Sequence, residues 1–159
     1  ALVNEDRPEL QEGDILDRLD CRPGDRVGMV GYFGPVVEGL RNRVRDLTVF
    51  ERADLPDVSV RPAAEAVEFL PECQVALITA TSILNHSVDA LLEAARGCRE
   101  TVILGASTPL LPEVFRERRV TMLSGVVVRE PEGILRVISE GGGMKYFGPH
   151  IRKASLRIQ

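Results

Sequence analysis

The chain has 159 residues, of which 44% are apolar, 28% are charged and 4% are aromatic, and its formal net charge is −4. This balance is typical of one globular domain and excludes a collagen, a disulfide-rich miniprotein and a disordered tail. The negative charge argues against a nucleic-acid partner, because phosphates are bound by basic surfaces. Apolar runs such as Val126–Val128 are far shorter than the roughly 20 residues of a membrane span. The sequence therefore predicts no membrane partner and no signal peptide.

Three cysteines, Cys21, Cys73 and Cys98, lie far apart in the sequence. An odd number of dispersed cysteines is typical of reduced thiols. Since thiols stay reduced in the cytoplasm, we expect a cytoplasmic protein.

Residues 1–24 lack a regular hydrophobic period and end at the turn formed by Pro23, Gly24 and Asp25. We interpret them as an N-terminal linker segment, with one helical turn near Asp14–Leu19, and residues 25–159 as a Rossmann-like domain. Residues 1–20 contain seven acidic side chains, whereas residues 145–159 contain four basic side chains and no acidic one. The two ends are expected to attract each other or a neighbouring domain.

From residue 26 onward, continuous apolar runs alternate with stretches of helical spacing. The predicted strands are Val27–Val30, Leu47–Phe50, Val75–Thr79, Thr101–Leu104 and Val120–Val128. The predicted helices are Val36–Val44, Ala63–Leu70, Val88–Ala95, Pro112–Arg118 and Glu132–Ser139. This alternation predicts the α/β class, as a three-layer, doubly wound, mainly parallel sheet of five or six strands. We expect the first strand at its centre, and the tail after Gly141–Gly143 to wrap over the sheet edge.

A glycine-rich turn and a carboxylate follow the first two strands. The turn, Gly28–Pro35, reads G-x-x-G-x-x-G and differs from the dinucleotide-binding spacing. Its glycines serve either a tight turn or contact with a ligand, and the sequence supports both interpretations equally. Glu51 ends the second strand, where such folds often bind a ribose hydroxyl, although a carboxylate at a strand end is also commonplace.

Small and polar residues follow the next two strands, at the same edge of the predicted sheet. Thr79, Thr81, Ser82 and Asn85 exceed the one or two polar residues that helix capping needs, and Ser107 follows the next strand. We expect these loops to converge on a ligand site. An anionic group would bind beside the turns, with Glu51 opposite and Asn85 fixing its orientation.

Signals for a metal centre or a catalytic nucleophile are poor. The sequence contains neither C-x-x-C nor H-E-x-x-H, and His86 and His150 are 64 positions apart. Ser107 follows a strand but lacks the G-x-S-x-G context. We therefore assign no metal ligand and no catalytic residue.

Five runs, together with Asn85, resemble a known family. They are Val27–Pro35, Val49–Glu51, Ile78–Thr81, Leu104–Leu111 and Ile138–Gly143. The family is the putative heavy-metal chelation family, a bacterial and archaeal group of undetermined activity. The resemblance extends from about Leu2 to Arg152 and keeps the order of the motifs.

The resemblance implies a Rossmann-like domain that usually follows a domain resembling the enolase N-terminal fold, with a cleft between the two. The sequence holds no counterpart of that first domain, so we expect it as a partner domain. The residues that the resemblance places at the cleft are Gly31, Tyr32, Phe33, Glu51, Thr81, Asn85, Ser107 and Gly142.

Several functions stay open at this stage. The cleft is expected to bind a divalent metal, a small anionic or metal-chelating ligand, or a nucleotide-like small molecule. Alternatives are a methyltransferase-like enzyme that uses a nucleotide cofactor and a non-catalytic interaction module. A homo-oligomer is compatible with each of these, and the residues do not decide whether the protein is an enzyme.

Overall fold

The computed structural model of the chain describes residues 4–52, 55 and 59–158. Its described strands form a single sheet in the order β1-β8-β7-β6-β5-β2-β3-β4. The strands are β1 (Gln11–Glu12), β2 (Arg26–Val30), β3 (Asp46–Glu51), β4 (Arg61–Pro62), β5 (Val75–Thr79), β6 (Glu100–Leu104), β7 (Met122–Val128) and β8 (Ile151–Arg157). Strands β2 to β7 pair in parallel, whereas β8 is antiparallel to both β7 and β1.

Short helices connect the parallel strands. They are α1 (Gly34–Leu40), α2 (Ala66–Phe69), α3 (Thr81–Leu84), α4 (Val88–Ala94), α5 (Pro112–Phe115) and α6 (Pro131–Ser139). Single 3₁₀ turns extend several of them, such as Ala63–Glu65 before α2 and Arg116–Arg118 after α5. The prediction of an α/β, mainly parallel sheet is confirmed. No helix in the described part of the chain combines the length and apolar character that a membrane span requires.

The sheet has eight strands rather than the predicted five or six. Two of the additional strands, β1 and β4, have only two residues each, too few to show a hydrophobic pattern. The third is β8. It is formed by the tail that was expected to wrap over the sheet edge, and it pairs with β7 instead. Strand β2, predicted to be central, is an interior strand between β5 and β3, while the middle of the eight strands falls between β6 and β5.

The N-terminal residues contact the same sheet. Asn4 is buried, and its side-chain amide donates to the carbonyls of Thr108 and Val126 at 2.8 and 2.9 Å, while its oxygen accepts from the Leu110 amide at 2.8 Å. The helical turn expected near Asp14–Leu19 is present as a 3₁₀ helix. The boundary between linker and domain at residue 25 stays a prediction, and residues 1–3 lie outside the described part.

Each face of the sheet carries its own apolar core, because alternate residues of a strand point to opposite faces. In β5, Ala76 and Ile78 belong to one core and Val75 and Leu77 to the other. Helices α2 and α4 cover the first core, and α1 covers the second. All four of these β5 side chains are inaccessible to solvent. A strand buried on both faces explains the continuous apolar run in its sequence.

The oppositely charged chain ends pair, as expected from their composition. Arg152 in β8 forms ion pairs with Asp6 and with Glu12, the latter at 3.7 Å. The Arg152 side chain is only 9% exposed, whereas both carboxylates are mostly exposed. The N-terminal segment is therefore held against β8 by charge as well as by the pairing of β1.

A second charged pair joins the amino ends of the central strands. The buried Asp25 carboxylate accepts two bonds from the Arg99 guanidinium, at 2.6 and 3.1 Å, and one from the Arg22 amide at 2.7 Å. Hydrogen bonding to Arg99 holds the pKa of the Asp25 carboxyl below its ordinary value of 3.8. The folded state thus favours the ionised carboxylate, and its stabilisation is present above that value and lost as the pH falls below it.

We predict that Ile78→Ala lowers the free energy of unfolding by about 2–5 kcal/mol, because it leaves a cavity in a close-packed core. Chemical denaturation measures this change. Val114→Ala, at a side chain that is 58% exposed, is the control and should change the free energy by less than about 0.5 kcal/mol. An unchanged midpoint for Ile78→Ala would contradict the position of β5 in the core.

We predict that Asp25→Asn destabilises the chain by about 1–3 kcal/mol at neutral pH, since it removes a buried acceptor from Arg99. The difference from the wild type should shrink as the pH falls below 3.8, because the wild-type carboxyl is then protonated too. Denaturation curves across this range measure both effects. Asp89→Asn, in an exposed pair with Arg118, should show little effect at any pH. A pH-independent difference for Asp25→Asn would rule out the ionised pair.

Candidate functional site

The turn after β2 depends on Gly31. Its φ of +90° lies in the region that side chains disfavour, and a Cβ there would lie 2.8 Å from the Thr79 Cβ. The Gly31 amide donates to the Phe50 carbonyl at 2.8 Å, which extends the β2–β3 pairing by one residue. The absence of a side chain therefore lets the ends of β2, β3 and β5 approach one another closely.

Glu51 is fixed at the end of β3 by two main-chain amides. One carboxylate oxygen, Oε2, accepts from the Tyr32 amide at 3.1 Å, and the other, Oε1, accepts from the Arg52 amide at 2.7 Å. These bonds set the orientation of the carboxylate and leave each oxygen with a free lone pair. Glu51 can thus accept further hydrogen bonds from a ligand.

Polar groups follow β5. The hydroxyls of Thr79 and Thr81 lie 3.0 Å apart and share a hydrogen bond. The Asn85 side-chain oxygen accepts from the amide of Ser87 at 3.1 Å and from its hydroxyl at 2.6 Å. This bonding shapes the turn between α3 and α4. The part of the Asn85 side chain that is free to contact a ligand is its amino group, which is a donor only.

These residues surround a cleft of about 930 Å³ at the carboxyl edge of the sheet. Its lining is mostly apolar and includes Val67, Leu84 and Leu91 beside the polar groups of Glu51, Thr79, Thr81 and Asn85. Two of the apolar side chains are unusually exposed, Val67 at 42% and Leu84 at 71%. A large cleft with apolar walls and a few polar groups is typical of small-molecule sites.

The structure brings six of the eight candidate residues together at this cleft. They are Gly31, Tyr32, Phe33, Glu51, Thr81 and Asn85. Sequence reasoning did not select Val67, Leu84 or Arg52, which also line it. Arg52 directly follows the candidate residue Glu51 in the sequence, and this adjacency could have identified it as a lining residue. Nothing in the sequence distinguishes Val67 or Leu84 from residues of the core.

The other two candidates, Ser107 and Gly142, lie outside the cleft lining. Ser107 is exposed in the turn after β6. Gly142 lies three residues after the end of α6, where its amide donates to the Val137 carbonyl at 2.8 Å and the Gly141 amide donates to the Ile138 carbonyl at 3.0 Å. This pair of bonds, with a φ of +77° at Gly141, is the Schellman motif, which accounts for these glycines as a helix cap.

The cysteine thiols are poorly suited to bind a heavy metal. Burial raises the pKa of Cys21 to about 11, of Cys73 to about 12 and of Cys98 to about 11. All three are free cysteines, and none lines the cleft. The thiols are therefore neutral at neutral pH in the absence of metal, and a metal would have to displace their protons, since the thiolate is the metal-binding form.

Within the described residues, no three His, Cys, Asp or Glu side chains lie close enough together to hold a metal ion. Glu51 is the acidic residue of the cleft lining, beside the hydroxyls of Thr79 and Thr81. Tight transition-metal sites usually provide three or four nitrogen, sulfur or carboxylate ligands. The described part of the cleft can thus contribute hydrogen bonds and one negative charge more readily than a full set of metal ligands.

Comparison with known proteins adds a family match. The profile of a family described as putative heavy-metal chelation matches residues 14–157. An uncharacterized protein of Methanocaldococcus jannaschii is 25% identical over 148 residues, which make up 91% of this chain and 56% of that protein.

Two crystal structures of proteins of unknown function from the same family are similar to the whole fold. The protein from Pyrococcus horikoshii has a TM-score of 0.87 and 26% identity, over 97% of this chain and 62% of its own. The protein from Desulfitobacterium hafniense has a TM-score of 0.78 and 26% identity, over 92% of this chain and 57% of its own. The chain thus spans little more than half the length of these relatives.

We predict that the side chains of this chain do not retain one equivalent of zinc after dialysis at neutral pH, because no three His, Cys, Asp or Glu side chains of the described residues lie close enough together to hold it. Elemental analysis of the dialysed protein measures the zinc. Alkylation of the folded chain by iodoacetamide should likewise stay slow until the pH exceeds about 10, whereas the urea-unfolded chain, used as the control, should react near the ordinary thiol pKa of about 8.5. Stoichiometric zinc at neutral pH that is not accompanied by an organic mass would contradict the assignment.

Proposed function

Because the chain belongs to the putative heavy-metal chelation family, we propose that it binds a small, metal-chelating organic ligand in the cleft at the carboxyl edge of its sheet. The supporting observation is the mixed lining of this cleft, with an oriented Glu51 carboxylate beside exposed apolar side chains such as Leu84. A bare ion would gain nothing from apolar walls. An organic molecule would bury its carbon skeleton against them.

The metal would be held by the organic ligand rather than by this chain. The raised thiol pKa values leave the cysteines protonated, and hard oxygen groups such as those of Glu51 and Thr81 are not the donors that soft metals prefer. A chelator brings its own donors, so the chain needs only to recognise its shape and its hydrogen-bonding groups. This division of roles is consistent with the family description and with the chemistry of the cleft.

Four of the candidate residues have a stated role in this proposal. Gly31 allows the strand ends to approach, and Glu51 accepts hydrogen bonds from ligand hydroxyl or amine groups. Asn85 offers its amino group to a ligand acceptor, and Thr81 offers a hydroxyl. Glu51 lies at the end of β3, and Asn85 follows the helix after β5. The two residues would therefore orient a ligand from opposite sides of β2, which lies between these strands. An anionic part of the ligand would lie away from Glu51, because two negative charges repel each other.

The relatives are longer than this chain, and their additional length could contain a partner domain. This chain spans 56% to 62% of their lengths, and we extend the proposal to a second domain, resembling the enolase N-terminal fold, that covers the cleft. Ser107 and Gly142, which lie outside the cleft lining, would belong to the site through contact with that domain. Whether the complete protein is an enzyme depends on groups that such a domain would add.

We predict that native mass spectrometry and elemental analysis of the purified chain detect metal and an organic mass together. Val67→Arg, which places a charge in the apolar wall, should remove both. Val114→Arg is the matched control, since Val114 is also exposed but lies outside the cleft lining, and it should keep both. Metal bound without an organic mass, or equal occupancy in the Val67→Arg variant, would contradict the proposal.

A further inference from the structure

Glu51 occupies a special position in the sheet. It lies 20 residues after Gly31 and directly past the register pair Val30–Phe50, so it borders the end of β2. Strand β2 has β3, the next strand in sequence, on one side and β5 on the other. In open parallel sheets, ligands bind where successive connections diverge in this way, and an acidic residue about 20 residues after the glycine turn binds ribose hydroxyls.

The carboxylate geometry fits two neighbouring hydroxyls. A carboxylate has about four acceptor positions, and main-chain amides use one on each Glu51 oxygen. One acceptor position or more on each oxygen stays available. Within the described residues, no Lys, Arg or His forms an ion pair with Glu51. A fixed carboxylate with two free, adjacent acceptors is complementary to a vicinal diol, which offers two O–H donors.

The apolar side of the same cleft suits a flat ring. Ala64 and Val67 come from the 3₁₀ turn before α2 and from α2 itself, and Leu84 and Leu91 come from α3 and α4. Leu84 is the most exposed large apolar side chain of the described residues, at 71%, and Val67 is 42% exposed. A nucleobase placed against them would cover apolar surface that otherwise contacts water.

The glycine turn is poorly suited to phosphate. The Tyr32 amide already donates to Glu51, and Pro35 has no amide hydrogen to offer. The amides of Val36 and Val37 both donate to the Phe33 carbonyl at 2.9 Å. Of the described residues that line the cleft, Arg52 alone is basic. Of the amides in this turn, those of Phe33 and Gly34 alone have no acceptor among the described residues, fewer than the set that holds a pyrophosphate in dinucleotide-binding folds.

We propose that the Glu51 end of the cleft binds a ribonucleoside without a phosphate group, with both ribose hydroxyls donating to Glu51 and the base lying against Val67 and Leu84. The inference rests on the proposed function, because it uses the same cleft, and it identifies the chemical class of the part of the ligand that Glu51 contacts. The cleft volume of about 930 Å³ leaves room for a substituent beyond the ribose.

The test compares the affinities of the chain for adenosine, 2′-deoxyadenosine, 3′-deoxyadenosine and adenosine 5′-monophosphate by isothermal titration calorimetry. Loss of either hydroxyl should weaken binding about tenfold to a hundredfold, the range for a hydrogen bond to a charged group. The monophosphate should bind no more tightly than adenosine. Equal affinities for adenosine and 2′-deoxyadenosine, tenfold tighter binding of the monophosphate, or no binding of adenosine would each overturn the proposal.

Two variants assign the preference to Glu51. Glu51→Gln should weaken adenosine binding and abolish the preference for adenosine over 2′-deoxyadenosine. Glu68→Gln, at an exposed carboxylate of α2 outside the cleft lining, should leave both unchanged. An unchanged preference in Glu51→Gln would overturn the proposal. The comparison of ligands on the wild-type chain decides the question even if Glu51→Gln fails to fold.

The two proposals fail in different ways. If the organic mass bound to the chain is lost in Val67→Arg but adenosine does not bind, the cleft is the ligand site and the ribonucleoside assignment is wrong. If the occupancy is insensitive to Val67→Arg while adenosine binds and discriminates through Glu51, the ribonucleoside assignment holds and the proposed metal-chelating ligand is wrong.

Discussion

The cleft depends on the close approach of Gly31 to Thr79 at the ends of β2 and β5. A side chain at Gly31 would place its Cβ within 2.8 Å of the Thr79 Cβ, at a φ of +90° that side chains disfavour. The turn that this glycine permits carries the Tyr32 amide to the Glu51 carboxylate at 3.1 Å. The bond from Tyr32 that orients Glu51, and with it the hydrogen bonds proposed between a ligand and this carboxylate, therefore depends on the missing side chain at Gly31.

The parallel core of the fold could be predicted from the sequence because strands buried on both faces are continuous apolar runs, as in Val75–Thr79. Strand β8 could not, because Arg152, Lys153 and Arg157 interrupt its pattern. It forms because β7 offers a free edge and because Arg152 pairs with acidic residues more than 100 positions away. The opposite charges of the two chain ends predict their attraction, but they do not predict that residues 151–157 form a strand.

The site was predictable to the extent that it depends on strand ends. Glu51 is the last residue of β3 and Thr81 lies two residues after the end of β5, and the carboxyl ends of parallel strands meet at one edge. Leu84 was not predictable, since only the orientation of a helix shows whether an apolar residue faces the core or a cleft. Gly142 was expected at the ligand cleft, but it caps a helix instead. The amides of Gly141 and Gly142 donate to free carbonyl groups at the end of α6.

The central claim is that ligands bind at the Glu51 carboxylate, in the cleft at the carboxyl edge of the sheet. A crystal structure of the chain grown with adenosine tests it most directly. We predict that both ribose hydroxyls lie within hydrogen-bond distance of the Glu51 oxygens while the Tyr32 and Arg52 amides keep their bonds to the same carboxylate. Adenosine bound elsewhere, with the Glu51 carboxylate free of any ligand contact, would contradict it.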